Sequence, residues 1–138
     1  MLIKEKEDFE KVRYHYSRLI AELFIKNYGE QIFNFCENNK LSLIGHYLAE
    51  DKIETQVFSI GDAMSLYEYM HWPGVDFLGR TIRNPLTLKQ CSSVSNQLGK
   101  ERVLSELYGC SGQNFTLAER KWIGDWHVSL GINFLCPH

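Results

Sequence analysis

Glu106 is the residue whose type and position most directly suggest chemistry. It stands in the apolar run 103–107 (VLSEL), one residue before the end of a predicted β-strand. A carboxylate cannot face the apolar layer beneath helices without a large desolvation cost, so we expect it to point to the open end of a sheet or into a barrel lumen. There it can act as a general base, a nucleophile or one half of a carboxylate pair. The alternative is a structural ion pair with Arg80 or Arg102.

Other polar residues follow predicted strands, where a parallel sheet presents its functional side chains. His46 follows Gly45 and shares the strand face of Ile44, so it can orient a carboxylate or bind a hydroxyl-rich ligand. A purely structural histidine is the alternative. Glu50 and Asp51 can supply a second acid, unless both are solvated loop residues. The same rule selects Asp76 with Arg80, residues 108–114 and His138.

The tetrapeptide of residues 71–74 (HWPG) is predicted to form a tight turn because it ends in Pro-Gly. His71 and Trp72 in such a turn suit stacking on a sugar ring or capping of a pocket. The alternative is a tryptophan that covers the edge of the core. Trp122 and Trp126, four residues apart on a predicted helix, are assigned to the core.

Several chemistries are not indicated. The His, Cys and acidic positions reproduce no zinc-binding spacing, so we predict no metal and no cofactor. The sequence has no GxGxxG, P-loop or GxSxG motif. With 15 Lys and Arg against 17 Asp and Glu, the formal net charge of -2 offers no basic surface for nucleic acid. The four cysteines form no CxxC pair and are predicted to be reduced, mostly buried thiols.

Helical and extended patterns alternate along the chain. Helices are predicted over residues 9–36, 63–70, 84–99 and 116–130, the last from the TxxE capping box of Thr116 and Glu119. Short strands are predicted over 41–45, 75–78, 103–107 and 132–136, and the stretch 46–62 is predicted to be a polar loop. This order predicts an α/β fold in which about four parallel strands alternate with helices.

Composition supports one domain over residues 1–138. Hydrophobic residues make up 44% of the chain, enough for a packed core. Residues 1–8 contain no signal-peptide core, and no segment approaches the roughly 18 apolar residues of a membrane span. We therefore predict a cytoplasmic protein without a membrane partner.

Four blocks of the chain resemble bacterial glycoside hydrolases of the α-L-rhamnosidase type. They follow the family's order and lie within residues 12–138: 45–51 (GHYLAED), 67–76 (YEYMHWPGVD), 103–112 (VLSELYGCSG) and 121–127 (KWIGDWH) with the final Pro137–His138. The family's catalytic domain is a (β/α)8 barrel flanked by β-rich domains, so the resemblance implies an internal segment of that barrel. A full barrel takes about 250 residues, so 138 residues correspond to roughly four of its eight units.

The resemblance also implies site residues. Glu106 matches an active-site glutamate at a strand tip, and residues near the family's pocket match His46, Glu50, His71, Trp72, Asp76 and Gln113. The family's upstream strand, which ends in a D-E-P-type motif and supplies another carboxylate, has no counterpart in this sequence. Glycosidic hydrolysis ordinarily uses two carboxyl groups, so we expect the isolated chain to have little or no activity.

Three hypotheses result. The first is a segment of a glycoside hydrolase barrel whose parent hydrolyses a glycosidic bond such as that of an α-L-rhamnoside, with carbohydrate as the partner. The second is a non-catalytic carbohydrate-binding or assembly module that self-associates, or pairs with a complementing chain, through open sheet edges. The third is an unrelated small α/β enzyme that uses Glu106 with Glu50 as its acid pair.

Overall fold

The computed structural model describes residues 6–138 of the chain. Helices and strands alternate through them. Their bounds are α1 Lys6–Phe24, a π-helical turn Ile25–Gly29, α2 Glu30–Asn38, β1 Ile44–Gly45, α3 Ile53–Ser59, α4 Ala63–Tyr67, β2 Trp72–Phe77, α5 Leu86–Gln97, β3 Leu104–Leu107, α6 Leu117–Ser129 and β4 Phe134–Pro137.

The four strands form one sheet in the order β1-β2-β3-β4, and every neighbouring pair is parallel. Helices connect each strand to the next. This confirms the predicted α/β fold with four parallel strands. Sequential strand order with helical crossovers is consistent with part of a (β/α) barrel.

The longest predicted helix is continuous but not uniform. Gly29 is buried and closes the π-helical turn that joins α1 to α2, with Leu66 and Tyr69 packed against it. A Cβ atom at Gly29 would lie 3.3 Å from Leu66, so glycine suits this close approach. The helix ends at Asn38, two residues beyond the predicted range 9–36.

Local capping fixes the later helices where the sequence places them. Asn84 Oδ1 accepts a hydrogen bond from the N–H of Leu86 at 3.0 Å. Thr116 and Glu119 form the predicted reciprocal capping box at the start of α6. These caps position the loops that precede α5 and α6, and both loops lie at the carboxyl end of the sheet.

One face of the sheet carries the core and the other is open. Val75 belongs to a cluster with Leu88 and Cys91 of α5, and Leu107 belongs to a second cluster with Ile123 of α6. The alternate strand residues point to the opposite face, since successive side chains leave a strand on opposite sides. That open face carries Ile44, Trp72, Gly74, Asp76, Leu104, Glu106, Phe134 and Cys136.

Three local predictions are wrong. Pro73 and Gly74 lie inside β2 rather than in a turn, and Pro73 is tolerated there because its nitrogen faces β3 just before the β2–β3 ladder begins at Gly74 and Leu104. The stretch 46–62 contains helix α3, in which the buried Gln56 amide donates to the carbonyl of Glu50 and to the side chain of Gln90. Trp122 is exposed, and only Trp126 packs against the core.

The structure also describes the cysteines and the apolar helices. All four cysteines are free; Cys36 and Cys91 are buried, whereas Cys110 and Cys136 are exposed, so burial holds for only half of them. Among residues 6–138 no helix is long and apolar enough to cross a membrane. Most of the N-terminal segment 1–8, for which we predicted no signal core, lies outside the described residues.

Candidate functional site

Asp76 and Glu106 lie side by side at the carboxyl end of the sheet. They are partners in the register of β2 and β3, and each is the penultimate residue of its strand. Side chains in register on parallel strands leave the sheet on the same face, here the face without helices. Both are only partly buried. The sheet therefore presents two adjacent carboxyl groups at its open, carboxyl-terminal edge.

Two histidines flank Glu106. His46 Nε2, just after β1, lies 3.7 Å from Glu106 Oε2. His138 Nε2, just after β4, lies 4.0 Å from the other carboxyl oxygen, Oε1. Side-chain exposure is 33% for His46 and 32% for Glu106, so water reaches both. Glu106 thus sits between one imidazole from each edge strand.

Asp76 is the more enclosed member of the carboxyl pair. Its Oδ1 atom is buried and makes no hydrogen bond within the described residues. Burial raises the pKa of Asp76, and the negative charge of Glu106 raises it further, while His46 and His138 act in the opposite direction. A carboxyl group in this environment holds its proton to higher pH than an ordinary aspartate.

The alternative role for Glu106, an ion pair with Arg80 or Arg102, is wrong. Arg80 lies 3.9 Å from Glu119, and Arg102 lies 3.4 Å from Glu101. The Arg102 guanidinium also stacks over Trp72 and Phe134 at the amino end of the sheet. Neither arginine neutralises the carboxylate at the strand tip.

Glu50 is buried behind the open edge rather than solvated in a polar loop. Its Oε1 accepts hydrogen bonds from the backbone N–H of Tyr47 at 2.7 Å and from the Tyr67 hydroxyl at 3.0 Å. Its backbone carbonyl accepts from Thr87 Oγ1 at 2.7 Å and from Gln56 Nε2 at 2.5 Å. Burial raises the pKa of Glu50 to about 7 despite these hydrogen bonds. Glu50 therefore ties the loop after β1 to α3, α4 and α5.

A cavity of about 320 Å³, at the small end of the range for ligand pockets, is lined by Asp76 of the carboxyl pair, whereas Glu106 lies outside its lining. The loop after β1 forms one wall, including His46 and Glu50, and Asp76 and Arg83 form the other. A second cavity of about 250 Å³ shares Asp76 and Arg83. We did not select Arg83 from the sequence, although its place between β2 and the Asn84 cap puts it at the carboxyl end.

His71 and Trp72 lie far from the carboxyl pair. They stand at the start of β2, and four residues at about 3.3 Å each separate Trp72 from Asp76 by roughly 13 Å. His71 Nδ1 accepts from the Leu43 N–H at 2.8 Å, and its Nε2 lies 2.6 Å from Glu37. Both ring nitrogens are therefore occupied by the protein, and the structure does not place these two residues at the pocket.

Gln113 is exposed in the loop between β3 and α6, at the correct end of the sheet. Arg80 braces this loop through Ser111, whose carbonyl accepts from Arg80 Nε at 2.6 Å, and through the Asn114 side chain. Tyr108 and Cys110 adopt positive φ angles of 77° and 58°, a costly backbone conformation for non-glycine residues. The loop is thus held in a defined shape next to Glu106.

Sequence reasoning selected most of this cluster, but it did not assign the pairing. His46, Asp76 and Glu106 were expected near the pocket, and the register brings them together. His138 was only one strand-tip candidate, yet it lies beside Glu106. The third hypothesis needs Glu50 as the partner of Glu106, whereas the adjacent strand supplies Asp76. Within residues 6–138, no group of three or more His, Cys, Asp or Glu has the geometry of a metal site.

The chemical capacity of the cluster follows from its parts. A carboxyl group with a raised pKa can donate a proton, and a neighbouring carboxylate between imidazoles can accept one or attack an electrophilic carbon. Comparison of the chain with protein-family models, curated proteins and solved structures gave no match.

Proposed function

We propose that Asp76 and Glu106 are the catalytic carboxyl pair, acid–base and nucleophile respectively, of a glycosidase site that hydrolyses a glycosidic bond. The observation that carries this proposal is the register of β2 and β3, which sets the two carboxyl groups side by side on the open sheet face. The resemblance of four sequence blocks to α-L-rhamnosidases supports an α-L-rhamnoside as the substrate class. The proposed location is cytoplasmic.

The spacing of the strands favours one stereochemical outcome. Neighbouring strands lie about 4.8 Å apart, so the Cα atoms of Asp76 and Glu106, from which the two side chains leave the sheet, have about this separation. Retaining glycosidases hold their two carboxyl groups about 5 to 5.5 Å apart, and inverting enzymes about 6.5 to 9.5 Å. We therefore propose retention of configuration through a covalent glycosyl intermediate on Glu106.

Each residue of the cluster has a distinct role in this proposal. Asp76, whose pKa is raised, protonates the leaving oxygen. Glu106 attacks the anomeric carbon, and the glycosidic bond to the leaving oxygen breaks as the new bond forms. His46 and His138 orient the Glu106 carboxylate and contact sugar hydroxyls. Water, activated by Asp76 in its deprotonated form, then releases the sugar and restores both carboxyl groups.

We still expect low activity of the isolated chain, but for a different physical reason. In this proposal Asp76 supplies the second carboxyl group, which in the family comes from the upstream strand without a counterpart here. A missing acid is therefore no longer the reason for low activity. The remaining reason is enclosure, because one four-stranded sheet leaves the pair open to water and surrounds a sugar on one side only. We expect slow turnover of the isolated chain.

An epoxide that mimics the substrate sugar tests the proposal. It reacts once with the nucleophile, so fast turnover is not required. An epoxide analogue of the rhamnose ring is opened by the nucleophilic carboxylate and leaves one covalent ester, which peptide mass spectrometry locates. We expect the label on Glu106, a loss of labelling in Glu106→Gln, and slower labelling in Asp76→Asn because epoxide opening needs the acid. Labelling at exposed acids alone, equal in both variants, would contradict the proposal.

Sugar titration followed by tryptophan fluorescence separates the alternative function. Binding of rhamnose by a chain that the epoxide does not label at Glu106 would favour the non-catalytic carbohydrate-binding module and reject the hydrolase. Binding together with labelling supports the hydrolase. A matched control is Glu54→Gln, since Glu54 is an exposed acid on α3 and does not line the cavities described above.

A further inference from the structure

The loop after β1 carries His46 to the carboxyl pair, and the backbone of the next residue holds the imidazole ring. His46 Nδ1 lies 3.1 Å from the carbonyl oxygen of Tyr47. Because a carbonyl oxygen only accepts hydrogen bonds, Nδ1 is the donor in this contact. The other nitrogen, Nε2, faces Glu106 Oε2 at 3.7 Å. The orientation of the His46 ring therefore depends on where the backbone of Tyr47 lies.

Glu50 holds the opposite side of Tyr47. The backbone N–H of Tyr47 donates to Glu50 Oε1 at 2.7 Å, and the hydroxyl of Tyr67 on α4 donates to the same oxygen at 3.0 Å. The side chains of all three residues are buried, so water does not compete for these hydrogen bonds. A chain of contacts thus runs from α4 through Glu50 and Tyr47 to His46 and ends at Glu106.

The main chain of Glu50 is itself held by two helices. Its carbonyl oxygen accepts from Gln56 Nε2 on α3 at 2.5 Å and from Thr87 Oγ1 on α5 at 2.7 Å. The preceding residue, Ala49, has a φ angle of 58°, which is costly for a residue other than glycine. Such a conformation persists only where the surrounding contacts determine it. Glu50 is therefore a fixed point from which its side chain reaches back to Tyr47.

His138 is held beside the same carboxylate by strand pairing. Its backbone N–H donates to the carbonyl of Leu107 at 2.8 Å, which continues the ladder between β3 and β4. Its Nε2 lies 4.0 Å from Glu106 Oε1. The two histidines beside Glu106 are thus positioned by different contacts, and only the position of His46 depends on the loop that Glu50 holds.

We propose that Glu50 is a positioning residue, whose carboxyl group acts through the backbone of Tyr47 to set the distance and orientation of His46 against Glu106. This inference rests on the proposed function in one respect, since that function gives His46 its role of orienting the Glu106 carboxylate. The contribution of Glu50 comes from the reach of its side chain rather than from its charge. Both hydrogen bonds end on one oxygen atom, which a glutamine amide offers at the same distance.

A matched pair of substitutions separates reach from charge. Glu50→Gln keeps the oxygen and removes the charge, whereas Glu50→Asp keeps the charge on a side chain that is shorter by one methylene group. Carbon-detected NMR at fixed pH measures how far the His46 ring signals shift when Glu106→Gln is added to each variant. We expect the wild-type shift in Glu50→Gln and a shift at least about twofold smaller in Glu50→Asp, because His46 then no longer faces Glu106.

The ring signals of His138 are the internal control. Their shift on Glu106→Gln should be the same in wild type and in both Glu50 variants, which also shows that the sheet is folded. If Glu50→Asp does not fold, Tyr67→Phe replaces it, because this change removes only the hydroxyl that anchors the Glu50 carboxyl group. It should reduce the His46 shift by a smaller amount.

Two results of the NMR experiment would overturn the proposal. The first is a His46 shift that stays at its wild-type size in the folded variant with the shortened or unanchored side chain. The second is loss of the His46 shift in Glu50→Gln, because the charge of Glu50 would then be required. Neither result depends on the proposed sugar chemistry.

The labelling of Glu106 by the epoxide tests the consequence for that chemistry. In Glu50→Asp the labelling rate at saturating epoxide should fall about tenfold or more, since a small displacement of an orienting group is costly. The epoxide concentration for half-maximal rate should change little, and Glu50→Gln should recover most of the lost rate. His71→Ala is the matched control for stability, because it removes a hydrogen-bonded side chain at the amino end of the sheet and should label at the wild-type rate.

The two experiments separate failure of this inference from failure of the proposed function. Equal labelling rates in Glu50→Asp and His71→Ala would give Glu50 a purely structural role and would overturn the inference. A wild-type chain that the epoxide does not label at Glu106 would reject the proposed function alone, because the NMR response of His46 still tests the positioning.

Discussion

The two ends of the open sheet face differ in what they hold. The carboxyl end presents Asp76 and Glu106 with a histidine on each side, and water reaches the cluster. The amino end holds Trp72 and Phe134 beneath the Arg102 guanidinium. The same four strands thus place a cluster of carboxyl and imidazole groups at one end and a partly exposed aromatic pair at the other. On this face, therefore, the groups able to do chemistry lie at the carboxyl ends of the strands and the aromatic packing lies at the amino ends.

The two histidines that the sequence singled out show this difference most clearly. His46 lies at the carboxyl end, and its Nε2 faces Glu106. His71 lies at the amino end, where it stacks on Phe33 with ring centroids 4.6 Å apart and both nitrogens contact the protein. The Nδ1 of His46 lies 3.1 Å from the carbonyl oxygen of Tyr47, so Nε2, which faces Glu106, is the nitrogen through which His46 can act on a ligand.

The largest expected effect is the difference in labelling rate between variants of Glu106, at the carboxyl end, and Glu101, at the amino end. Glu106→Gln removes the nucleophile, so the rate of epoxide labelling should fall at least about 1,000-fold, or roughly 4 kcal/mol of barrier. Glu101→Gln removes an exposed carboxylate at the amino end, which pairs with Arg102, and should leave the rate within about twofold. Timed intact-mass measurements give both rates. Equal rates in the two variants would remove the functional distinction between the ends.

The next largest effect concerns the buried carboxyl group behind the carboxyl end. The pKa of Glu50 is about 7 in the folded protein against an ordinary value of 4.5, so the folded state binds its proton more tightly. Stability is therefore lost as pH rises from about 4.5 to about 7, by up to about 3 kcal/mol. Glu50→Gln cannot ionise and should lack this loss.

Urea unfolding at pH 4 and pH 8 measures the Glu50 effect. The stability of Glu50→Gln relative to wild type should increase between the two pH values by up to about 3 kcal/mol. The exposed Glu54→Gln variant on α3 should show no comparable change. A constant difference between Glu50→Gln and wild type would mean that Glu50 ionises normally in the folded protein.

The smallest expected effect is the difference in the free energy of unfolding between His71→Ala and His46→Ala. His71→Ala leaves the Leu43 N–H without its acceptor and removes the stacking on Phe33, so it should cost about 2 kcal/mol. His46→Ala removes an exposed side chain and should change stability by less than about 0.5 kcal/mol. Urea unfolding at neutral pH compares them. A larger loss for His46→Ala would reverse the assignment of the two ends.

Sequence patterns predicted the elements that rest on local signals. The capping box of Thr116 and Glu119 and the Asn84 cap placed two helices correctly, because such contacts join residues close in sequence. Pro73 and Gly74 misled the prediction, since tertiary pairing of β2 with β1 and β3 overrides their turn preference. Helix α3 was missed because Gln56, a polar residue, is buried through hydrogen bonds to distant partners.

The candidate site was predictable in its residues but not in its pairing. The strand-tip rule selected His46, Asp76, Glu106 and His138 from their places after apolar runs. The register that sets Asp76 beside Glu106 depends on how β2 and β3 align, which short strands of this composition do not specify. Glu50 was misread because its partner Tyr67 lies 17 residues away, at the end of helix α4.

The titration of Asp76 tests the pairing of the two carboxyl groups most directly. Carbon-detected NMR across the acid range reports the pKa of the Asp76 side chain in wild type and in Glu106→Gln. We expect a raised pKa in wild type, and a lower one in Glu106→Gln because the neighbouring negative charge is gone. An Asp76 pKa that is unchanged by Glu106→Gln would contradict the carboxyl pair and, with it, the proposed site.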